Sequence, residues 1–224
     1  MEEIGRMQMD SLELIKSRHS VRAYQDCPLT QDHKRALEER VKDLNRQEGL
    51  YFRLVFDEPD LFKKRVPSYG QFKNVKNYLL LAADKKIDPM LVGYWGEDFV
   101  LFAQSLGVNS CWVGMARFFH QGLVEEKDQK LFALISLGYG MDQGKTRPSK
   151  SFQEVVEGEG PYPDWFVQGV EAGLLAPTAM NQQKFTIRLE KDGQVDFRHK
   201  LGIFARLDLG IVKYHFDQVT QERK

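Results

Sequence analysis

Two arginines and a serine stand within five residues of one another in the segment Arg18–Arg22 (RHSVR). An arginine guanidinium offers a planar fork of donors to a phosphate, and a serine hydroxyl adds a neutral donor. The segment is therefore a candidate phosphate site. Taken alone, it fits a solvated basic turn better, so the phosphate interpretation needs support from elsewhere in the chain.

The second candidate is the segment Ala176–Gln183 (APTAMNQQ), which combines a proline, a hydroxyl and three amides between a predicted helix and a predicted strand. Amides and exposed backbone groups suit an uncharged planar heterocycle that has carbonyl and ring-nitrogen edges. A polar connection without a ligand has the same composition. Both interpretations stay open on these residues alone.

Other motifs are absent or fail on spacing. Gly138-Tyr139-Gly140 follows an apolar strand, but the next glycine, Gly144, comes one position too late for a dinucleotide-binding loop, and Pro148 prevents the helix such a loop must open. No GxxxxGK[ST] or GxSxG motif occurs, and the five histidines form no HxxxH or HExxH pair, so we expect no metal site. Cys111 next to Trp112 reads as a buried apolar thiol rather than a nucleophile.

Composition excludes several classes of partner. The 224 residues are 42% hydrophobic, enough for one large domain or two small ones, and 32 basic residues balance 32 acidic ones. This balance leaves no net positive charge of the kind that binds nucleic acid or an anionic membrane. Cys27 and Cys111 lie far apart and form no CxxC pair, and Met1–Asp10 lacks an apolar core. We therefore expect a cytoplasmic protein with no membrane segment.

Hydrophobic periodicity predicts helices and strands in mixed order. The continuous apolar run Asn77–Ala83 (NYLLLAA) is typical of a central strand buried on both faces. We expect an α+β or α/β sandwich in which one mixed sheet is flanked by helices. The predicted helices are Ser11–Ser17, Gln31–Leu44 (with Thr30 as N-cap), Tyr94–Leu106, Asp164–Leu175 and Leu209–Gln218. The predicted strands are Leu50–Asp57, Asn77–Ala83, Val108–Gly114, Lys130–Gly138 and Phe185–Glu190.

A faint internal repeat suggests a pseudo-twofold axis. With Val170 set against Leu37, an offset of 133 residues lays the first predicted helix–strand unit over a later one. A second offset, of 114 residues, sets Gly210 against Gly96. The chain is thus predicted to be one domain, 1–224, with degenerate halves 11–150 and 151–224.

Five segments together resemble the flavin-dependent nitroreductase family, and they cover most of the chain. The family has an RxSxR near its N-terminus, a PSxxNxQ loop after a helix, and a segment of the type GLG-x-CW-x-G. In typical members the PSxxNxQ loop closely follows RxSxR, whereas here it lies near residue 180. The segments are Arg18–Tyr24, Gly93–Glu97, Leu106–Gly114 (LGVNSCWVG), Ile135–Gly140 and Ala176–Gln183.

The resemblance assigns roles to particular residues. It implies that the RxSxR segment binds the phosphate and ribityl chain of FMN, that the loop near residue 180 lines the flavin ring, and that the Val113–Gly114 backbone approaches the ring's N5 and O4 edge. Arg147, and less securely Lys150, would close over the phosphate, while Tyr69 is the candidate near the substrate face. The implied FMN-binding residues are Arg18, His19 (mainly through its backbone), Ser20, Arg22, Val113, Gly114, Arg147, Pro177, Thr178, Ala179, Asn181 and Gln183.

The implied activity is hydride transfer from NAD(P)H through flavin to a small-molecule acceptor such as a nitroaromatic or a quinone. Because the cofactor carries the chemistry, no catalytic acid–base pair is required. The alternatives are another flavin reaction, for which the stretch Asp57–Gln71 is the candidate lid, and a non-catalytic flavin-binding protein. Ordinary members are homodimers with FMN at the interface. This chain resembles a fused pseudo-dimer with one retained site, so we expect a monomer, with a homodimer as the alternative.

Overall fold

The computed structural model describes residues 10–64, 72–124 and 126–220, and within these ranges the strands form two sheets. The strands are β1 (Leu50–Val55), β2 (Asn77–Asp84), β3 (Asn109–Val113), β4 (Gln129–Gly138), β5 (Val156–Glu157), β6 (Phe185–Leu189) and β7 (Val195–His199). The larger sheet has the order β1-β2-β4-β3 and is antiparallel throughout. The smaller sheet has the order β5-β6-β7, with β5 parallel to β6 and β6 antiparallel to β7.

Side chains cap the starts of the two long helices of the first half. Thr30 caps α2 as predicted, because its hydroxyl accepts the His33 N–H, and Asp88 caps α4 in the same way ahead of Pro89. The helices are α1 (Ser11–Ser17), α2 (Gln31–Leu44), α3 (Asp60–Lys64), α4 (Pro89–Ser105), α5 (Ala116–Phe119), α6 (Phe152–Val155), α7 (Asp164–Leu174) and α8 (Ala205–Thr220), with short 3-10 turns at Gln121–Leu123 and Ala179–Asn181.

The interior strands of the larger sheet are β2 and β4, and both are buried along most of their length. The central position predicted for the run that begins at Asn77 is therefore confirmed. Leu79 and Leu81 face the main core, whereas Tyr78 and Leu80 face a second apolar cluster on the opposite side of the sheet. Coverage of both faces explains why this segment is apolar at successive positions rather than at alternate ones.

Helices α4 and α8 cross in close contact at a pair of glycines. A Cβ atom on Gly93 would lie 2.0 Å from the carbonyl oxygen of Leu207, and one on Gly210 would lie 1.9 Å from that of Met90. Each glycine thus faces the carbonyl three residues before the other, so the contact is symmetric. The symmetric partner of Gly210 is therefore Gly93, and not Gly96 as the predicted offset of 114 residues required.

The two halves share an order of elements. The first half runs through α2, β1, β2 and α4, with the short helix α3 inserted between its two strands. The second half runs through α7, β6, β7 and α8, with a 3-10 turn between α7 and β6. In both halves the two strands pair antiparallel. This order, together with the symmetric crossing of α4 and α8, supports the internal pseudo-twofold predicted from the repeat.

The α+β class is confirmed, but the expectation of one mixed sheet is wrong. The strands divide between two sheets, and the larger one is purely antiparallel. Periodicity identifies strands without identifying their hydrogen-bond partners, which lie far apart in the sequence. Several bounds also differ: α4 begins at Pro89 and α8 at Ala205, before the predicted Tyr94 and Leu209, and β1 ends at Val55 because the chain turns at Asp57.

No helix among the described residues is long and apolar enough to cross a bilayer. The same ranges contain no group of three or more histidine, cysteine or carboxylate side chains placed to hold a metal ion.

Candidate functional site

A cavity of about 720 Å³ lies between the larger sheet and the first turns of α8. Its size is that of a site for a cofactor or a substrate of similar bulk. Eleven of the twelve residues predicted to bind FMN line it: Arg18, His19, Ser20, Arg22, Val113, Gly114, Arg147, Pro177, Thr178, Ala179 and Asn181. The structure therefore brings together segments that lie far apart in the sequence.

The segment Arg18–Arg22 is fixed by a short ladder to β3. The Val21 N–H donates to the Ser110 carbonyl at 3.0 Å, and Ser20 forms an isolated parallel bridge with Ser110. Val21 is buried, whereas the exposed Arg22 lies at the cavity. Because side chains alternate along an extended segment, this pairing directs the serine and the second arginine towards the cavity.

Arg18 is the buried member of the segment, with 4% of its surface exposed. Its Nε lies 3.6 Å from a carboxylate oxygen of the buried Glu97, and burial lowers the pKa of Arg18 while the Glu97 charge opposes that shift. Glu97 also accepts a 2.8 Å hydrogen bond from the indole N–H of Trp112, another residue of the cavity wall. Glu97 therefore positions two lining side chains at once.

Behind Glu97 lies the fully buried His215, whose Nε2 is 2.8 Å from a Glu97 oxygen. The other ring nitrogen, Nδ1, lies 3.1 Å from the carbonyl oxygen of Ala172, which can only accept, so Nδ1 carries a hydrogen. The 2.8 Å contact between Nε2 and the Glu97 oxygen is a hydrogen bond. The pair anchors Glu97 to α8 and α7.

Arg147 connects the cavity to the end of α7. Its guanidinium donates to the carbonyl oxygens of Leu175, at 3.1 Å, and of Ala176. Burial, reinforced by the nearby Arg18 charge, lowers the pKa of Arg147 to about 10, so the group remains charged at neutral pH. A cation at the carbonyl end of a helix is also favoured by the helix dipole.

Lys150 and Gln183 are placed differently from the prediction. Neither lines the cavity: the Lys150 ammonium donates to the Gln183 carbonyl oxygen at 2.8 Å, and Gln183 is buried with 2% of its surface exposed. The Gln183 amide donates to the Leu174 carbonyl and to the Ser149 hydroxyl, and accepts the Lys150 N–H at 2.7 Å. These two residues fix the loop rather than contact its ligand. The positively charged lysine that lines the cavity is Lys145.

The loop at residues 176–183 owes its shape to left-handed backbone at Met180, Asn181 and Gln183, whose φ angles are 53°, 54° and 45°. Such angles are uncommon outside glycine and cost local strain, which the surrounding hydrogen bonds must outweigh. The Asn181 amide donates to the Pro148 carbonyl at 2.8 Å, which leaves its Oδ1 buried without a partner. The loop therefore presents an unused acceptor in a residue of the cavity wall.

Phe204 and Asp208 are lining residues that the sequence analysis missed. A Cβ atom on Gly114 would lie 3.1 Å from the Phe204 ring, a tight contact that the ring would have to relieve by shifting. Phe204 itself has a φ of 64°, which is a strained conformation for an aromatic residue. Because the last helix was predicted to start at Leu209, both residues fell outside any predicted element. The helix starts at Ala205, which puts Asp208 in its first turn.

The polar groups of the cavity fit an anionic ligand that also has a polar ring. Arg18, Arg22, Lys145 and Arg147 bring positive charge to the lining, against Asp142 and Asp208. Among the described residues the Arg22 side chain has no hydrogen-bond or ion-pair partner. Within the described part of the chain, two buried atoms of lining residues have no hydrogen-bond partner: Asn181 Oδ1, and Arg18 Nε, which lies 3.6 Å from the Glu97 carboxylate. The donor set and the free acceptor of Asn181 fit the phosphate and the amide-like ring edge of FMN.

Tyr69 and residues 65–71 of the predicted lid lie outside the described residues, so the predicted substrate contact stays a prediction. Burial raises the pKa of the Cys111 thiol, which agrees with an inert core cysteine rather than a nucleophile. Cys27 is exposed, and both cysteines are free.

Residues 10–220 match the family model described as "Putative TM nitroreductase". The chain therefore belongs to this nitroreductase family, and the family predicted from the motifs is confirmed. No curated protein sequence matches the chain.

Solved structures share the fold. A protein of Thermotoga maritima described as a putative nitroreductase superposes with a TM-score of 0.69 at 22% identity, covering 99% of this chain and 89% of its own. A nitroreductase of Desulfovibrio desulfuricans, solved in complex with FMN, gives 0.55 at 19% identity over 73% of this chain and 100% of its own. A protein of Parabacteroides distasonis named as an NADH dehydrogenase/NAD(P)H nitroreductase gives 0.54 at 18% identity, over 67% and 98%.

Proposed function

We propose that the protein is an FMN-dependent oxidoreductase that takes a hydride from NAD(P)H and passes it to a nitroaromatic or quinone-like acceptor. The observation that carries the proposal is the convergence of the RxSxR segment, the loop near residue 180 and the Gly114 backbone on one cavity. Membership of the nitroreductase family and the FMN-bound relative from Desulfovibrio desulfuricans support it.

The chain's own residues divide the work of holding the cofactor. Arg18, Arg22 and the Ser20 hydroxyl would hold the phosphate, and Arg147 adds a charge that stays positive at neutral pH. The amide oxygen of Asn181 would accept from the ring. When bound, FMN supplies the two-electron chemistry, so the protein need only clamp it, exclude water from one face and leave the other face open.

The cavity draws on both halves of a single chain. Arg18 and Gly114 come from the first half, whereas Pro177, Asn181 and Asp208 come from the second. A second copy of the chain is thus unnecessary to complete the site, and we infer a monomer that acts as a fused pseudo-dimer. Light scattering on the eluting protein tests this, and a dimer that binds FMN only when associated would contradict it. A cytoplasmic location, favoured by the two free cysteines, belongs to the same proposal.

An anaerobic spectral titration tests the function. Protein loaded with FMN is mixed with NADPH or NADH, and bleaching of the oxidised flavin bands is followed by addition of a quinone or a nitroaromatic. The proposal predicts bleaching by one of the nucleotides and return of the bands with the acceptor. Bound flavin that neither nucleotide reduces would overturn it in favour of the non-catalytic flavin-binding alternative.

A further inference from the structure

Asp208 is the buried acid of the cavity. Its carboxyl lines the cavity with 6% of the residue exposed, in the first turn of α8. One of its oxygens, Oδ2, accepts the Ala179 N–H at 3.0 Å, and this is the one hydrogen bond that the carboxyl makes to the described residues. The carboxyl is thus tied to the loop that lines the cavity, with capacity left for another partner.

The groups around Asp208 leave it in a weakly polar setting. Burial raises the pKa of Asp208 to about 7, although the Ala179 N–H and the Arg147 charge act in the opposite direction. Arg147 comes from the loop after β4, while Glu97 of α4 and Arg18 both act on that same arginine. His215 lies further along α8, where its Nε2 is hydrogen-bonded to Glu97. At neutral pH the Asp208 carboxyl therefore exists in both protonation states, as a proton-exchanging group needs.

The other titratable groups of the lining are less suited to that role. Asp142 is exposed to solvent, and one of its oxygens already accepts the Gly144 N–H, so it is not a buried acid of the cavity. Arg147 keeps its proton at neutral pH because its pKa is lowered only to about 10. The pKa of His19 is lowered by burial and by Arg18 and Arg147, which favours the neutral ring.

The reaction of the proposed function consumes a proton, which a protonated carboxyl in the cavity can supply. Reduction of a quinone to a hydroquinone takes two electrons and two protons, and a hydride brings both electrons and one of the protons. Conversion of a nitro group to a nitroso group, with loss of water, has the same balance. One proton must therefore reach an acceptor oxygen from another source, whereas reduction of the flavin by a nucleotide hydride needs none.

We propose that Asp208 is the general acid of this cavity and donates that proton to the oxygen of the bound acceptor. The Asp208 O–H bond breaks, its electron pair stays on the carboxylate, and a new O–H bond forms on the acceptor. Water entering through the cavity mouth restores the proton. This inference rests on the proposed function, because that function supplies the hydride.

Two half-reactions measured by stopped flow test the inference. In Asp208→Asn the flavin should bleach with NADPH or NADH at a rate within about twofold of the wild type. Its reoxidation by 1,4-benzoquinone at pH 6 should slow about a hundredfold, the scale of a lost general acid. In the wild type reoxidation should slow as the pH rises through about 7, and this dependence should vanish in Asp208→Asn and return in Asp208→Glu. Reoxidation of Asp208→Asn with the wild-type rate and pH profile would overturn the proposal.

A matched control distinguishes the loss of the general acid from the general effect of replacing an aspartate in the first turn of a helix. Asp32 occupies the first turn of α2 and is exposed outside the cavity, so Asp32→Asn should leave both half-reactions unchanged. A readout free of cofactor is the infrared carboxyl band of the ligand-free protein. It should show one carboxylic acid titrating near neutral pH that Asp208→Asn removes, whereas Asp32→Asn keeps it.

The two proposals fail in different ways. If the wild-type flavin is not bleached by either nucleotide, the proposed function fails, and the infrared titration still tests whether Asp208 holds a proton. If bleaching is normal but the infrared band does not titrate, or survives in Asp208→Asn, the role of Asp208 is overturned while the proposed function stands.

Discussion

The two walls of the cavity that the sequence motifs identify are built on different principles. The segment Arg18–Arg22 is extended, pinned to β3 by the backbone of Val21, and offers charged side chains. The loop at residues 176–183 offers backbone shape, with left-handed residues held by the buried amide of Gln183. One wall therefore depends on charge and the other on conformation, so mutations in them should separate affinity from stability.

The largest effect is expected at the conformational wall. Gln183→Leu removes hydrogen bonds to the Leu174 carbonyl, the Ser149 hydroxyl and the Lys150 N–H, and leaves buried groups unpaired. We expect a loss of about 3 kcal/mol in the free energy of unfolding, together with weaker FMN binding. Urea denaturation measures the first and flavin titration the second. Gln153→Leu, at an exposed position of α6, is the control and should change neither. Unchanged stability in Gln183→Leu would show that the loop holds its shape without this amide.

In the charged wall, a mutation should lower FMN affinity without lowering stability. Arg22 is exposed and has no ion-pair partner among the described residues, so Arg22→Ala should leave the unfolding free energy nearly unchanged. It should weaken FMN binding by about 1 to 3 kcal/mol if the guanidinium contacts the phosphate. Titration of the ligand-free protein with FMN measures the loss, with the exposed Arg35→Ala as control. Equal affinity in Arg22→Ala and wild type would remove Arg22 from the site.

The contact between Gly114 and Phe204 tests a part of the cavity lining that belongs to neither wall. Gly114→Ala would place a methyl carbon 3.1 Å from the Phe204 ring, tighter than ordinary packing allows. We expect a cost of about 1 kcal/mol in stability or in FMN affinity, because the ring must shift. Phe204→Ala in the same chain should recover most of that cost, which a double-mutant cycle measures. Costs that simply add would show that the two positions do not interact.

The smallest effect is expected at Lys150. Its ammonium donates to the Gln183 carbonyl and does not line the cavity. Lys150→Met should therefore lower stability by about 1 kcal/mol and change FMN affinity less than twofold. If Lys150→Met lost much of its FMN affinity while keeping its stability, Lys150 would contact the FMN phosphate after all.

Much of the site could be predicted from sequence because its motifs are local. The donors of Arg18, Ser20 and Arg22 and the amide-rich residues 177–181 indicate their chemistry without knowledge of the fold, and the structure places them on one cavity. The position of Gln183 behind the cavity lining could not be predicted, because its amide hydrogen-bonds to Leu174 and Ser149, which no local pattern reveals. Asp208 was missed because an aspartate in a mixed helix belongs to no motif, and because the predicted helix began at Leu209, one residue after it.

The fold shows the same limit. Element types followed from apolar periodicity, but the division into two sheets depends on strand partners far apart in sequence. The crossing of α4 and α8 at Gly93 and Gly210 is likewise a tertiary contact. The sequence repeat set the wrong glycine opposite Gly210 because spacing alone does not distinguish Gly93 from Gly96.

The measurement that tests the central claim most directly is a calorimetric titration of the ligand-free protein with FMN, on material whose mass in solution is known. The account predicts one FMN per monomeric chain, with affinity reduced in Arg22→Ala and unchanged in Arg35→Ala. Absence of binding, or one FMN shared by two chains, would contradict a complete flavin site within a single chain.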